Sequence, residues 1–349
     1  DLASLNIIEA DLYPHASENI ELMQDLISKL LDLGFAYVGK DGSVYFAAQK
    51  YSDYGALSGN RLENLKPGHR FDGAVDENKN FHADWALWKL APETRHELVW
   101  DSPWGRGFPG WHIECSAMSL QNLGSNVDVH IGGIDLRFPH HEDERAQSNC
   151  ATGTEVVKHW VHAEHLLFEG RKMAKSTGNV VLLSDVIEKG FDPLALRLAF
   201  IQTRYRTQMD LNWDSIKAAN NQIEKWRAKA QHAADIGFPA DFESAFTDAI
   251  LNDLDTPKAI AVVREAEKAL NEKSFADFLL WADIFFGLDL AREPKRVEVP
   301  ANVLELVDLR NQARADKDFA KSDQLRNEIT KLGFSVKDTA DGTEVEPSI

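Results

Sequence analysis

The sequence predicts an α/β region followed by an all-helical one. Three observations carry this reading. A short apolar run, Val127 to Ile131, ends at Gly132-Gly133 between two helical stretches, and the end of such a strand is where an open α/β sheet presents its ligand. Upstream, Phe35 to Ala48 alternates in the two-residue period of a strand pair. Past Asp192-Pro193 the pattern turns to long amphipathic helices.

In chain order, residues 17–33 place Ile20, Met23, Leu26, Ile27, Leu30 and Leu31 at helical spacing, with Ser17 as the N-cap and Gly34 as the stop. Asp41-Gly42 is a two-residue hairpin signal inside the alternating stretch. Residues 51–110 are rich in Gly, Pro, Asp and Asn and carry Trp85, Trp88, Trp100 and Trp104, which reads as part of an insertion of short strands and long loops at about 35–108. Helices follow at 112–124 and 140–151, then a strand from Trp160 to Phe168 and a turn from Gly170 to Asn179. Further helices fall at 193–203, 213–232, 242–251, 256–272 and 275–285, with Pro193 suited to a first helical position. A charged, proline-containing linker spans 288–300, and a helical pair at 301–315 and 318–332 precedes a short β-like tail. The expected divisions are 1–187, 188–290 and 291–349.

The chain has 349 residues, 44% of them apolar and 27% charged, which fits a globular protein with a sizeable core and excludes a disordered chain. No run reaches the ~20 apolar residues of a membrane helix, and no secretory leader opens the chain. Two cysteines, Cys115 and Cys150, are too few to staple it, so a reducing cytoplasm is expected. A net charge of −18 excludes indiscriminate binding to nucleic acid, which needs a basic field. Residue 1 is Asp, and the opening reads as a helical connection already under way, so the chain is expected to be a piece of a longer protein.

Three constellations bear chemistry. Cys115 and the run His140-His141-Glu142-Asp143-Glu144 offer sulfur, nitrogen and oxygen donors that zinc accepts, with His140 and Glu144 on one helical face. The same residues also suit a polar surface helix and one buried thiol, because ligands 25 positions apart form no compact motif. Lys172 and Lys175 lie three apart in a loop with Ser176, a pattern that can clamp a polyphosphate or simply face water. His130 to Asp135, with Gly132 and Gly133, and the preceding Pro109-Gly110-Trp111-His112 suit close approach and stacking of a ligand, or a tight turn beside a core tryptophan.

Taken together, "GWHIECSAMS" at 110–119, "HIGGIDLRFPHHEDERAQS" at 130–148 and "KMAKSTGN" at 172–179 resemble the class I aminoacyl-tRNA synthetases, and within them the cysteinyl-tRNA synthetases. "DPLALRLAF" at 192–200 is similar to the family's helical domain, and "DLRNQARADKDFAKSDQLRNEI" at 308–329 resembles its anticodon-binding region. The resemblance implies an incomplete Rossmann-like catalytic domain with an inserted α/β segment, then an α-helical bundle and a small C-terminal anticodon-binding region. The family's first strand and helix, with a "HIGH"-type signature and a preceding cysteine ligand, do not occur here. The chain alone is therefore expected to give little or no activation. Ala174 stands where the family signature has serine.

The resemblance further implies a cysteine–tRNA ligase that uses ATP with Mg2+, cysteine and tRNA(Cys). One Zn2+ per chain is held by Cys115, His140 and Glu144, with the absent cysteine as fourth ligand. Lys172 and Lys175 serve catalysis and ATP binding, helped by the backbone at Gly132 and Gly133. Trp111, His130 and Asp135 line the amino-acid pocket, and Arg314, Phe319 and Asp323 read the anticodon. Phe319 stands where tryptophan is common, keeping a stacking face but losing an N–H donor. A cytoplasmic monomer without membrane attachment is the family habit. Three other readings remain open: a related ligase joining cysteine to a small amino-sugar acceptor, a non-catalytic tRNA-binding paralogue, and a zinc hydrolase with an open water site. Residues 301–349 argue against the first, the intact ligand trio against the second, and the lack of an H-E-x-x-H arrangement against the third.

Overall fold

The computed structural model describes residues 1–66, 77–173, 178–293, 299–339 and 342–347, so Lys175 lies outside the described residues. The chain divides into two compact units, Asp1–Ala291 and Arg292–Ile349.

The first unit opens on helix α1 (Ile20–Asp32), which buries Ile20, Met23, Leu26, Ile27 and Leu30 on one stripe. Ser17 is not its cap. Residues Ala16–Glu18 form a tight 3-10 turn instead, and Asn19 precedes the helix without a side-chain cap. Strands β1 (Ala36–Val38) and β2 (Val44–Phe46) follow, joined by a three-residue loop rather than the expected two-residue turn. Gly39 and Ser43 pair across it at 2.8 Å, and only Gly42 has positive φ, at 83°. A two-residue type I′ turn would need Asp41 left-handed as well, whereas a type I turn closed by a left-handed glycine needs one. With β3 (Trp85–Leu90) and β4 (Gly107–Pro109) these strands make a four-stranded antiparallel sheet in order β1-β2-β3-β4.

Helix α2 (Trp111–Leu123) leaves that sheet directly. The N–H of Gly110 donates to the Leu87 carbonyl at 2.8 Å, and a Cβ there would collide with the Ala86 carbonyl oxygen. The start of α2 is therefore tied to the edge of β3. Strand β5 (Val127–Gly133) leads through a wide turn, Arg137–His141, into α3 (Glu142–Thr152). The helix predicted from residue 140 starts two residues later because Phe138 is extended and Pro139 has no N–H to give a preceding turn. Strand β6 (Val157–Ala163) runs parallel to β5, in register His130↔Trp160 and Gly132↔His162. The single strand predicted at 160–168 is thus two: β7 (Leu166–Phe168) belongs to another sheet, antiparallel to β8 (Arg171–Lys172) and parallel to β9 (Met209–Leu211). The division falls at Glu164, whose N–H turns to the Tyr205 carbonyl at 2.7 Å.

Between β8 and β9 lie α4 (Leu183–Glu188) and α5 (Pro193–Ile201), and α6 (Trp213–Ala230), α7 (Ala240–Leu251), α8 (Thr256–Ala269) and α9 (Glu272–Phe286) follow. Their apolar faces close on one core around Trp226, Phe246 and Phe278. Asp192 caps α5 and meets the buried guanidinium of Arg227 at 2.7 Å, which also donates to the Leu288 carbonyl. A second core gathers α1, the four-stranded sheet, α2 and α3 around Trp88, Phe46 and Met23. Among the described residues, no helix is long and apolar enough to cross a membrane.

The second unit is a helical hairpin, α10 (Ala301–Ala315) and α11 (Phe319–Lys331), followed by the antiparallel pair β10 (Phe334–Thr339) and β11 (Gly342–Pro347). Its small core holds Val303, Val307, Ile329, Phe334 and Val336.

Candidate functional site

Helices α2 and α3 pack side by side and turn their starting ends to the same place. The thiol of Cys115, an imidazole nitrogen of His140 and a carboxylate oxygen of Glu144 lie within 4.8 Å of one another. His140 Nε2 and Glu144 Oε1 are 2.8 Å apart, the contact that i,i+4 spacing permits. Glu144 is 3% exposed, and no lysine or arginine neutralises it among the described residues. A buried carboxylate left that way is costly unless a cation joins it. Burial, reinforced by Glu144 and Glu114, pushes the Cys115 thiol up to about 12. A divalent cation would reverse that preference and hold the thiolate, so the sulfur, nitrogen and oxygen donors fit zinc.

A chain of polar contacts supports His140 from behind. His112 Nδ1 lies 2.7 Å from His140 Nδ1, and His112 Nε2 lies 3.3 Å from Asp143 Oδ2. The Tyr54 hydroxyl donates to Asp143 Oδ1 at 2.6 Å, and Glu142 accepts the Ser58 N–H at 2.8 Å. Residues 54 and 58 of the insertion thus hold down the acidic start of α3. His112 and Asp143 fall within segments the sequence marks, but Tyr54 does not stand out as part of a site, because the residues that meet come from three distant segments.

On the other side of Glu144, His130 Nε2 is 3.6 Å from Oε2, and His130, His141 and Glu144 form a second convergent group. His141 Nδ1 meets His162 Nε2 at 2.9 Å, and burial, with the neighbouring imidazoles, pushes His141 down to about 3. Burial thus favours its neutral form. Trp160 lies 4.7 Å from His130 and 5.1 Å from His141, ring to ring. The Trp111 ring sits 4.1 Å from His140 yet is 59% exposed, so one face closes on the ligand cluster and the rest is open.

The glycines of β5 have internal reasons. A Cβ at Gly132 would come 2.6 Å from the His141 ring, and one at Gly133 would strike the Asp135 carboxylate. Asp135 is exposed at the mouth of the strand. Trp111, Cys115, His130, His140 and Glu144 are therefore brought together, with Gly132, Gly133 and Asp135 alongside at the end of β5. Lys172 is exposed on β8, in the other sheet, where its carbonyl accepts from Asn179 at 3.2 Å. Cys150 is buried on α3 and packed in the core, outside any convergent donor group among the described residues, and burial pushes its thiol up to about 12.

In the C-terminal unit Phe319 opens α11 and is 62% exposed, with Asp323 exposed one turn on. Arg314 is half-exposed and pairs with Asp338 at 3.2 Å. The residue the sequence did not single out is Arg310, 2% exposed and bonded twice to Asp338 at 2.8 Å.

Two family profiles match the chain. One, described as tRNA synthetases class I (C) catalytic domain, covers residues 1–221, and the other, described as cysteinyl-tRNA ligase anticodon binding domain, covers 296–345. Among curated relatives, a cysteine–tRNA ligase of Opitutus terrae is 42% identical over 100% of this chain and 77% of its own length. That of Thermus thermophilus is 42% identical over 98% of this chain and 76% of its own length. The Chlamydia caviae protein of the same name is 35% identical over 99% and 77%.

Proposed function

The chain belongs to the cysteinyl-tRNA synthetases of class I, and from that premise we propose that it serves the activation of cysteine with ATP and its transfer to tRNA(Cys), with zinc on Cys115, His140 and Glu144 selecting the thiol and with little or no activation by residues 1–349 alone. The observation that carries the zinc reading is the convergence of these three donors around a buried carboxylate with which no lysine or arginine pairs among the described residues. When bound, zinc would supply a direct bond to the substrate sulfur, which a serine hydroxyl matches poorly because it ionises far less readily.

The chain's own residues do the rest. Trp111 offers an open aromatic face beside His140, against which a small side chain is held. His130 and His141 pack against Trp160, and the neutral imidazole of His141 gives the pocket wall a hydrogen-bonding surface without a competing charge. Asp135, exposed at the mouth of β5, is placed to take the α-ammonium of the amino acid. Attack of the cysteine carboxylate on the α-phosphorus of ATP, with Mg2+ on the phosphates, needs positioning and charge neutralisation more than covalent help. Lys172 and Lys175 supply that neutralisation as pyrophosphate leaves. In the second step the terminal ribose hydroxyl of tRNA takes the cysteinyl group and AMP departs. Arg314, Phe319 and Asp323 then serve anticodon contacts, Phe319 by stacking an unpaired base.

Cobalt substitution tests the selectivity. Added cysteine should shift the sulfur-to-cobalt absorption of the 1:1 complex, and serine should leave it unchanged. An equal response to both amino acids, or no stoichiometric metal, overturns the zinc reading. At the protein's natural length, tRNA(Cys) charging that does not require cysteine would overturn the activity itself.

A further inference from the structure

Behind the helix that carries Cys115 lies a cavity of about 420 Å³ for which the reaction above has no use. Its walls come from residues 15–20 leading into α1, from the β3–β4 connection and β4, and from α2. That volume falls in the ~300–1,000 Å³ range of small-ligand sites. Trp100 and Phe108 give it aromatic surface, and the Arg95 guanidinium lies across the Phe108 ring at 3.7 Å. Arg95 is fixed there by donating Nε–H to the Glu97 carbonyl at 3.2 Å and Nη2–H to the Leu98 carbonyl at 3.3 Å. To present its carbonyl, Leu98 adopts φ 50°, a conformation that costs a leucine free energy and that folds keep mainly where surrounding contacts require it. The remaining N–H donors of Arg95 have no partner among the described residues.

Opposite stands Glu114, a half-buried carboxylate without a hydrogen-bond or ion-pair partner among the described residues. The cavity therefore combines flat stacking surface, donors from Arg95 and an acceptor from Glu114. That set matches one chemical class, an unstacked nucleobase whose edge carries both an acceptor and a donor. A purely apolar guest would leave both charges unmet, and a simple anion would face Glu114. Position selects the source. Glu114 is next to Cys115 on α2, and its charge reaches the Cys115 thiol, so a base held by Glu114 would lie beside the helix start that carries the amino-acid site and must receive the acceptor end of tRNA.

We propose that this cavity receives one unpaired base of the tRNA acceptor strand and thereby steers the terminal ribose toward the amino-acid site. The proposal rests on the tRNA reading given above. Its test compares binding of an intact tRNA(Cys) transcript with one lacking the last four nucleotides, by fluorescence anisotropy at fixed salt, with the wild-type chain and with Arg95→Lys, Arg95→Ala and Glu114→Gln. The wild type should prefer the intact transcript by about tenfold. Arg95→Ala and Glu114→Gln should bring the two transcripts to equal affinity, with Arg95→Lys between them, while affinity for the truncated one stays unchanged. Equal binding of both transcripts by the wild type, or a preference that survives both Arg95→Ala and Glu114→Gln, overturns the proposal. So does quenching of tryptophan fluorescence by AMP, GMP, CMP or UMP without any preference between transcripts, which would assign the cavity to free nucleotides. Failure of both transcripts to bind would instead break the tRNA reading, and this proposal with it.

Discussion

The candidate ligand cluster and the C-terminal unit both gather charged side chains, yet they do so in opposite ways. Around Cys115 the groups are withdrawn from water: Glu144 is 3% exposed, His140 4% and Asp143 0%. In the C-terminal unit the candidate readers stand outside, with Phe319 62% exposed and only the supporting Arg310 buried. Under the proposed function the difference follows from the task. Choosing sulfur over oxygen at one atom needs a dry site in which a missing contact is expensive. Gripping a flexible, heavily hydrated polynucleotide needs faces that a base can reach, held by a scaffold that stays still.

Removing a ligand should give the largest effect. Glu144→Ala should lose stoichiometric zinc, a greater loss than the ~10–100-fold expected of an outer partner. Equilibrium dialysis against a competing chelator measures it, and retention of one zinc at wild-type affinity would show that the carboxylate is not a ligand. Next comes the support behind His140. Asp143→Asn removes the charge that orients His112 and should weaken zinc by ~10-fold or more, with Tyr54→Phe a smaller loss in the same direction. If both variants bind zinc as the wild type does, the contacts from the insertion serve packing alone, and the contrast between the two regions shrinks.

On the exposed side, Phe319→Ala should cost ~1–3 kcal/mol of tRNA binding by losing a stacked base. Because Phe319 is 62% exposed, unfolding midpoints should move by less than ~0.5 kcal/mol equivalent. A stability loss without a binding loss would make Phe319 a packing residue. The smallest effect concerns pH. Bonding to Arg310 holds the Asp338 carboxyl down to about 2, below its unfolded value of ~3.9. The pair therefore stabilises the unit fully above about pH 4, and the benefit is lost as pH falls through about 2. Hydrogen exchange in α10 and α11 of the whole chain should accelerate over that window, modestly because Asp338 is 38% exposed, and the acceleration should vanish in Asp338→Asn.

Much of this was legible in the chain itself. Helix α10 falls at 301–315 as its periodicity predicts, and the i,i+4 spacing of His140 and Glu144 is the spacing at which they meet. Local signals failed where tertiary geometry decides. Asp41-Gly42 reads as a two-residue turn, but the flanking pair at Gly39 and Ser43 stretches it to three. Trp160 to Phe168 reads as one strand, but its halves join different sheets once Glu164 bonds to Tyr205. Tyr54, 89 positions from Asp143, has no local pattern that could announce their hydrogen bond. Arg310 carries no local signal either, because its partner lies 28 residues away on β10.

The junction of Gly110 with β3 has a wider meaning. Because the N–H of Gly110 bonds to Leu87, the four-stranded sheet acts as the ruler from which Trp111, His112, Glu114 and Cys115 are measured out. A slip of β3 by one residue would carry the whole helix ~3.3 Å along the strand and reverse which face each side chain presents. Cys115 would then leave the reach of His140 although neither residue had changed. Sites could be lost here by mutations in Trp85 to Leu90, where no ligand resides. The segment that looks most like an ornament on the fold is the part that holds its chemistry in calibration.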